Sequence, residues 1–421
     1  MNTLLFWAKK LIPKPVFAFL QPIYHYKMAL LAALVYRFPS RKIKVVAITG
    51  TKGKSSVVEI VNAILEEAGY KTAVAGTIRF KIGEKSERNL YKMTLPGRFF
   101  VQRFLRQAVN AGCDFAILEM TSEGAKQFRH KFISYDALIF TNLAPEHIES
   151  HGSYENYLKA KLSIARELEK SAKRPRAVVA NIDDGAGEKF LSVKVEKRIP
   201  YSIHNAANLN ADSDGVEFDW EGTHIKSRLP GKFNAYNILA AASFAKAIGV
   251  SVEIIAAAIE KIVEIRGRAQ FIRGGQDFDA IADYAHTPDS LKALYEAFQN
   301  KRKICVLGNT GGGRDKWKRP EMGRIADQYC DEIILTNEDP YDEDPRQILK
   351  EMEAGITKHR PEIILDRREA IAVAVKKASA GDAVLITGKG TDPYIMGPNG
   401  SREPWDDATV VREELKKIRR G

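Results

Sequence analysis

The sequence predicts an α/β protein, with a central P-loop domain on a parallel sheet and a C-terminal Rossmann-like, doubly wound domain. Two observations carry that expectation. From Lys44 onward, short β-branched runs alternate with helical patterns, which is how parallel strands joined by crossover helices are written. The alternation then restarts near Arg268, so the 421 residues divide into two such units. The expected boundaries are 1–42 for a basic amphipathic N-terminal segment, 43–266 for the central unit and 267–421 for the C-terminal one.

Taken in order, the first unit offers strands at Lys44–Thr49, Phe115–Glu119, Ala137–Thr141 and Ala177–Asn181. Each ends at a polar residue, and ligands of open α/β sheets bind outside the carboxyl ends of strands. Val193–Leu229 has the pattern of a small β-rich insertion, and Asn234–Ile265 that of two helices covering the first unit. The second unit offers Ala280–Asp283, Lys303–Leu307, Glu332–Thr336, Ile363–Asp366 and Ala383–Thr387.

The first strand runs into Thr49-Gly50-Thr51-Lys52-Gly53-Lys54-Ser55-Ser56 and then a helix expected over Ser55–Glu67. Backbone N–H groups of such a turn and the helix N-terminus face anionic oxygens, a lysine reaches the β/γ-phosphates, and a hydroxyl holds Mg²⁺. Gly50, Thr51, Lys52, Gly53, Lys54, Ser55 and Ser56 are therefore candidate ATP-binding residues, with Ser55 the metal hydroxyl. The glycine lies only three residues before Gly53, closer than in the usual P-loop. The strand-turn-helix setting carries the assignment.

Composition is that of an ordinary globular protein. Three widely spaced cysteines, Cys113, Cys305 and Cys330, indicate neither a disulfide framework nor a zinc site, and a reducing cytoplasm fits them. The net charge of +12 does not point to nucleic acid, because residues 1–44 hold eight Lys/Arg and no Asp or Glu. That segment is also rich in aromatic and aliphatic residues, among them Leu4, Leu5, Phe6, Trp7, Phe17, Phe19, Leu20, Tyr24 and Tyr26. It suits either an arm lying on the inner face of an anionic membrane or a helix packed on the core or a dimer partner. Its longest apolar run, Met28–Tyr36, is too short to span a bilayer, and no export signal is evident.

Glu119 closes an apolar strand, a position where a carboxylate is either paired or functional. His147 and His151 follow the strand end at Thr141, and Tyr157 and Lys161 follow them. On spacing alone, Lys161 belongs to the solvated face of a helix over Tyr154–Glu169.

Together these motifs resemble the Mur ligase family. The resemblance rests on the phosphate loop, Glu119, the Thr141-Asn142-Leu143…Glu146-His147…His151-Gly152 run and Tyr157-x-x-x-Lys161. It continues in order through Gly231-Lys232-Phe233-Asn234-Ala235-Tyr236-Asn237, Arg266-Gly267-Arg268, Asp283-Tyr284-Ala285-His286-Thr287-Pro288, Gly311-Gly312-Gly313-Arg314, Asn337-Glu338-Asp339-Pro340 and Gly388-Lys389-Gly390. It covers about residues 43 to 421 and is nearest to the members that add the third residue of the peptidoglycan stem peptide.

The resemblance implies an ATP- and Mg²⁺-dependent ligase. Such enzymes phosphorylate a substrate carboxylate and let an amine displace the phosphate, leaving ADP, phosphate and an amide. It implies that Lys54, Glu119, His147 and a carbamylated Lys161 form the catalytic and metal set. Asn234 and Asn237 would meet the adenine, and Arg268, Asp283 and His286 the phosphates and ribose. Thr121, Ser122, Arg314, Asn337, Glu338, Asp339, Pro340, Tyr341, Gly388, Lys389 and Asp392 would bind the acceptor, a UDP-muramoyl peptide or a modified form of it, and the amino acid.

This chain departs from the pattern at four places. A short basic, apolar segment stands where the family carries an N-terminal uridine-nucleotide domain, which suggests a differently bound or lipid-linked acceptor. Diaminopimelate-adding members carry Asp-Asn-Pro-Arg, whose arginine grips the distal carboxylate; here Glu338-Asp339-Pro340-Tyr341 replaces it. Thr391-Asp392 replaces His-Glu, and Glu123 stands in a position usually held by histidine. An acidic lip of Glu338, Asp339, Asp342, Glu343 and Asp344 then favours lysine or another diamino acid. Two alternatives stay open: a ligase of folylpolyglutamate- or cyanophycin-type cargo, and a non-catalytic ATP-binding subunit.

Overall fold

The computed structural model describes residues 14–144, 152–313 and 315–418. An eight-stranded sheet is followed by a six-stranded one, with a small antiparallel sheet between them in sequence. In spatial order the first sheet runs Lys85–Arg88, Arg79–Ile82, Thr72–Ala75, Phe115–Met120, Lys44–Thr49, Ala137–Phe140, Ala177–Asn181 and Lys197–Tyr201. Six of these are parallel; the first two form an antiparallel edge hairpin.

Continuous apolar runs such as Val45-Val46-Ala47-Ile48 suit strands covered on both faces. Side chains alternate across the sheet. Val46 and Ile48 pack under the helices Lys54–Glu67, Lys232–Ala247 and Val252–Glu260, while Val45 and Ala47 pack under Arg98–Asn110 and Tyr154–Lys170. The register pairs Thr49 with Met120 on one side and Phe140 on the other, so the loops after these three strands open at one edge.

The second sheet runs Gln270–Phe271, Asp279–Ala282, Ala383–Ile386, Lys303–Leu307, Glu332–Leu335 and Glu362–Ile363, parallel except for the first strand. The expected strands recur within a few residues. The insertion differs in one respect: Lys197–Tyr201 joins the first sheet as its eighth strand, and only Ala207–Ala211, Val216–Trp220 and Thr223–Ser227 form the separate sheet.

The cysteine reading is corrected. Cys305 and Cys330 form a disulfide, and Cys113 stays free and buried. Twenty-five residues separate the pair in sequence. The helix Lys318–Tyr329 folds back on its own strand and delivers Cys330 to Cys305, a proximity that spacing does not reveal.

The N-terminal helix Lys14–Val35 packs on the helix Arg98–Asn110 through Ala29, Ala32 and Ala33. Tyr26 stands edge-on to Phe132, with ring centroids 5.0 Å apart, and Arg106 Nη2 donates to Tyr36 O at 2.7 Å. The arm is thus docked on the core, and residues 1–13 lie outside the described part. Among the described residues no helix is long and apolar enough to cross a membrane.

His130 is buried beside the helix Tyr154–Lys170, with Nε2 3.1 Å from Ser163 Oγ. Burial, with Lys131 and Lys170 nearby, pushes its pKa down to about 3. The unfolded chain binds this proton near the ordinary histidine value and the native chain does not, so stability falls as pH drops from about 6.5 towards 3. His130→Leu is expected to flatten that part of the melting temperature against pH profile; an unchanged slope would contradict the assignment.

Candidate active site

The phosphate loop is held by backbone and by the strand end beside it. Thr51 N donates to Asn142 O at 2.8 Å, Lys52 N to Asn142 Oδ1 at 2.9 Å, and Thr141 Oγ1 to Lys52 O at 2.6 Å. Gly50 has φ +152° and Gly53 φ +80°. A Cβ at Gly50 would lie 1.9 Å from Thr141 Oγ1, and one at Gly53 would lie 2.3 Å from Asn237 Oδ1. Only glycine fits both positions, so the loop packs against Thr141 and Asn237 and leads into the N-terminus of the helix Lys54–Glu67. Lys54 Nζ folds back to Thr51 O at 2.8 Å.

Glu119, 2% exposed, stands at the neighbouring strand end. Its Oε1 accepts from Ser55 Oγ at 3.0 Å and Thr77 Oγ1 at 3.0 Å, and Oε2 accepts from Thr77 N at 2.7 Å. Arg268, from the start of the second unit, donates from Nη2 to the same Ser55 Oγ at 3.1 Å. A carboxylate, hydroxyls and a guanidinium from both units therefore meet beside the phosphate loop. No three His, Cys, Asp or Glu side chains converge as a metal set among the described residues. His147 and Arg314 lie outside the described residues.

Lys161 is not on a solvated face. It is 1% exposed, its Nζ donates to Gly50 O at 2.5 Å, and it sits 4.6 Å from the centroid of the Tyr157 ring. Tyr157 in turn meets Thr51 Oγ1 at 2.9 Å. This lysine supports the phosphate loop from within the fold. Asn234 and Asn237 bond to each other, Asn237 Nδ2 donating to Asn234 Oδ1 at 3.0 Å, and Asn237 backs Gly53.

On the second unit, Asp283 accepts from Ala269 N and Ala285 N, both at 2.6 Å. Desolvation pushes its pKa up against those two N–H groups and Arg268. Arg268 stacks 4.4 Å from the Tyr284 ring, and His286 Nδ1 lies 2.7 Å from Tyr284 O.

The expected acidic lip is corrected, because most of it is consumed internally. Asp339 accepts from Lys389 Nζ at 2.8 Å and from Met396 N at 2.8 Å, and also pairs with Lys92. Glu343 takes Gly313 N at 2.7 Å and Arg319 at 3.0 Å. Asp342 accepts from Asn399 N, and Asp344 caps the helix Pro345–Glu353. Glu338 differs. It is 3% exposed, Oε1 takes Thr310 Oγ1 at 2.7 Å, and Oε2 has no hydrogen-bond partner among the described residues.

A cavity of 720 Å³ connects these groups. Thr51 to Ser56, Glu119, Thr121, Ser122 and Asn237 line it from the first unit. Arg268, Asp283, His286, Glu338, Asp339, Gly388 and Asp392 line it from the second. Gly50, Lys161, Asn234, Asn337, Pro340, Tyr341 and Lys389 are not among the described residues that line it. Lys389 is fully buried between Asp339 and Asp392, which outweigh the burial penalty and raise its pKa.

Residues 48–245 match the Mur ligase middle domain, and residues 267–390 match the Mur ligase glutamate ligase domain. The chain is 35% identical over 405 residues to the UDP-N-acetylmuramoyl-L-alanyl-D-glutamate-2,6-diaminopimelate ligase of Geobacillus kaustophilus, covering 93% of this chain and 82% of that one. The chain belongs to the Mur ligase family. A UDP-N-acetylmuramyl-tripeptide synthetase of Roseiflexus is 34% identical over 431 residues, 96% of this Mur ligase and 84% of its relative. Among solved structures, a UDP-N-acetylmuramoyl-L-alanyl-D-glutamate-2,6-diaminopimelate ligase aligns with TM-score 0.61 and 29% identity over 90% of this chain and 79% of that one. Folylpolyglutamate synthase of Mycobacterium tuberculosis shares the fold at TM-score 0.68 and 15% identity, over 92% of this chain and 94% of that one.

Sequence reasoning missed Thr77, Asn89, Lys92, Thr94 and Arg129, which also line the cavity. Thr77, Asn89, Lys92 and Thr94 lie on the loops that flank the edge hairpin 79–88 and Arg129 follows the helix Ser122–Lys126, so no local motif announces them. Lys92 crosses to the second unit, pairing with Asp339 and lying 3.3 Å from Asp392. Arg88 makes a parallel crossing to Asp406 at 3.2 Å and to Thr391 O at 3.1 Å. Lys92→Met is expected to raise the KM for the amino acid about tenfold, the worth of one half-buried charged contact, with the KM for ATP little changed. Equal changes in both constants would contradict that placement.

Proposed function

We propose that this Mur ligase is a cytoplasmic, ATP- and Mg²⁺-dependent, ADP-forming ligase that adds the third residue to a UDP-muramoyl dipeptide in peptidoglycan synthesis. One observation carries the reading: a single cavity is lined by the phosphate loop, by Glu119 with Ser55, and by the buried Glu338 carboxylate. Units 43–266 and 267–421 act as the two working domains, supported by their separate sheets and cores.

The loop residues fit a polyphosphate, because the glycines let the loop pack against Thr141 and Asn237 and lead straight into the N-terminus of the helix Lys54–Glu67, whose first N–H groups suit anionic oxygens. Ser55 and Glu119, with His147, would hold Mg²⁺, which supplies electrostatic stabilisation of charge on the transferring phosphoryl group. Lys54, at the start of the helix Lys54–Glu67, would reach that phosphoryl group. Arg129, whose pKa burial and Arg98 push down to about 10, donates to Leu95 O and faces the cavity, where it suits an acceptor carboxylate. The acceptor carboxylate takes the γ-phosphoryl group, releasing ADP. The amino group then attacks the acyl phosphate carbon, phosphate leaves, and the amine gives up a proton as the amide forms. We assign Lys161 as a carbamate in the working enzyme, supported by the family pattern and by its buried seat against the phosphate loop.

Tyr341 replaces the arginine that grips a distal carboxylate, while Glu338 offers one carboxylate oxygen to a distal ammonium. Lysine or another diamino acid is therefore the preferred amine. Phosphate release from ATP, Mg²⁺ and UDP-muramoyl-dipeptide is expected to rise with lysine or ornithine more than with diaminopimelate or acidic amino acids. Preference for diaminopimelate would refute the amine assignment, and no amine dependence would refute the ligase reading.

A further inference from the structure

The N-terminal helix Lys14–Val35 is amphipathic in an unusual sense. Its docked face is made of small residues, Ala29, Ala32 and Ala33, each no more than 2% exposed. Its opposite face carries the larger apolar side chains. Leu20, Ile23, Tyr24, Leu31, Leu34 and Val35 recur at helical spacing, each between 43 and 57% exposed. A protein folding for itself alone would bury the leucines and show the alanines. A continuous apolar stripe of this kind marks a surface that something else covers.

Charge identifies the cover. Lys27 lies on the same stripe, and Arg37, Arg41 and Lys42 follow at its C-terminal end, all exposed. Residues 1–44 contain no Asp or Glu to balance them. A second copy packed isologously on this stripe would bring two sets of these cations together with no acidic residue of the segment to pair them. An anionic phospholipid surface instead takes the leucines into its acyl boundary, the tyrosines at headgroup level and the cations against its phosphates. We propose that this helix is an interfacial anchor that holds the enzyme flat on an anionic membrane. It lies in the interface and does not cross it.

The inference is independent of the ligase reading, and its test keeps the two apart. Full-length protein is floated with vesicles of phosphatidylglycerol and phosphatidylethanolamine, or of phosphatidylcholine alone, at low and high salt. Sedimentation without lipid reports the oligomeric state. Binding is expected with the anionic vesicles only, about tenfold weaker at high salt and in the Leu31→Ser/Leu34→Ser variant. That variant lies outside the cavity, so its melting temperature and turnover should match the parent. Failure to bind anionic vesicles would overturn the proposal. So would equal binding to both vesicle types, or a lipid-free dimer that the double substitution dissolves.

Discussion

Glu119→Gln is expected to lower ligase turnover by about three orders of magnitude while leaving the fold intact. The substitution keeps the shape of a side chain that is 2% exposed and can still accept from Thr77 N, so the loss isolates the charge. That charge has no local counter-ion of its own strand; it faces Ser55 Oγ, which Arg268 also reaches from the second unit. A carboxylate so placed is worth its burial only if a cation joins it during turnover, and removing one electrostatic element of such a site costs about 10²–10³ in rate. Phosphate release at saturating substrates measures the effect. Turnover within tenfold of the parent would show that Glu119 only braces Thr77.

Glu338→Gln is expected to change amine choice more than rate. Among the described residues Glu338 Oε2 is buried without a hydrogen-bond partner, and Glu338 lines the cavity. Gly388, at φ +105°, lies against it, and a Cβ there would come within 2.4 Å of that oxygen. An ammonium seated there gains a charge-assisted hydrogen bond, so its loss should raise the KM for lysine about tenfold to a hundredfold. A neutral analogue of the same length should change little. Equal effects on lysine and its neutral analogue would assign Glu338 a structural role with Thr310.

Much of this architecture is legible in the sequence because parallel strands, covered on both faces, leave continuous apolar runs. Lys44–Thr49, Ala177–Asn181 and Lys303–Leu307 stand where those runs place them. The phosphate loop is legible for a similar reason, since its chemistry is local and eight consecutive residues, Thr49 to Ser56, carry it. The edge hairpin Arg79–Ile82 and Lys85–Arg88 leaves no such trace; its strands are four residues each, charged and half exposed. Everything it positions, including Lys92 and the Asn89–Thr94 loop, was hidden with it.

Charge was the least legible property. Glu338, Asp339, Asp342, Glu343 and Asp344 are nearly contiguous and look alike in sequence, yet Asp339 is paired with Lys389 and Lys92 while Glu338 retains a bare oxygen. Which carboxylate is spent depends on cations that arrive from 50 and 247 residues away. Lys161 was misread on spacing for the converse reason. Helical periodicity shows that it shares a face with other residues, but not that the phosphate loop closes over that face.

The central claim is that a carboxylate is activated by phosphorylation and then captured by an amine. Turnover of a UDP-muramoyl dipeptide carrying ¹⁸O in its terminal carboxylates, followed by mass analysis of the released phosphate, tests it most directly. The account predicts one ¹⁸O in each phosphate released, because the bridging oxygen of the acyl phosphate leaves with phosphorus. Amide formation accompanied by unlabelled phosphate would contradict it.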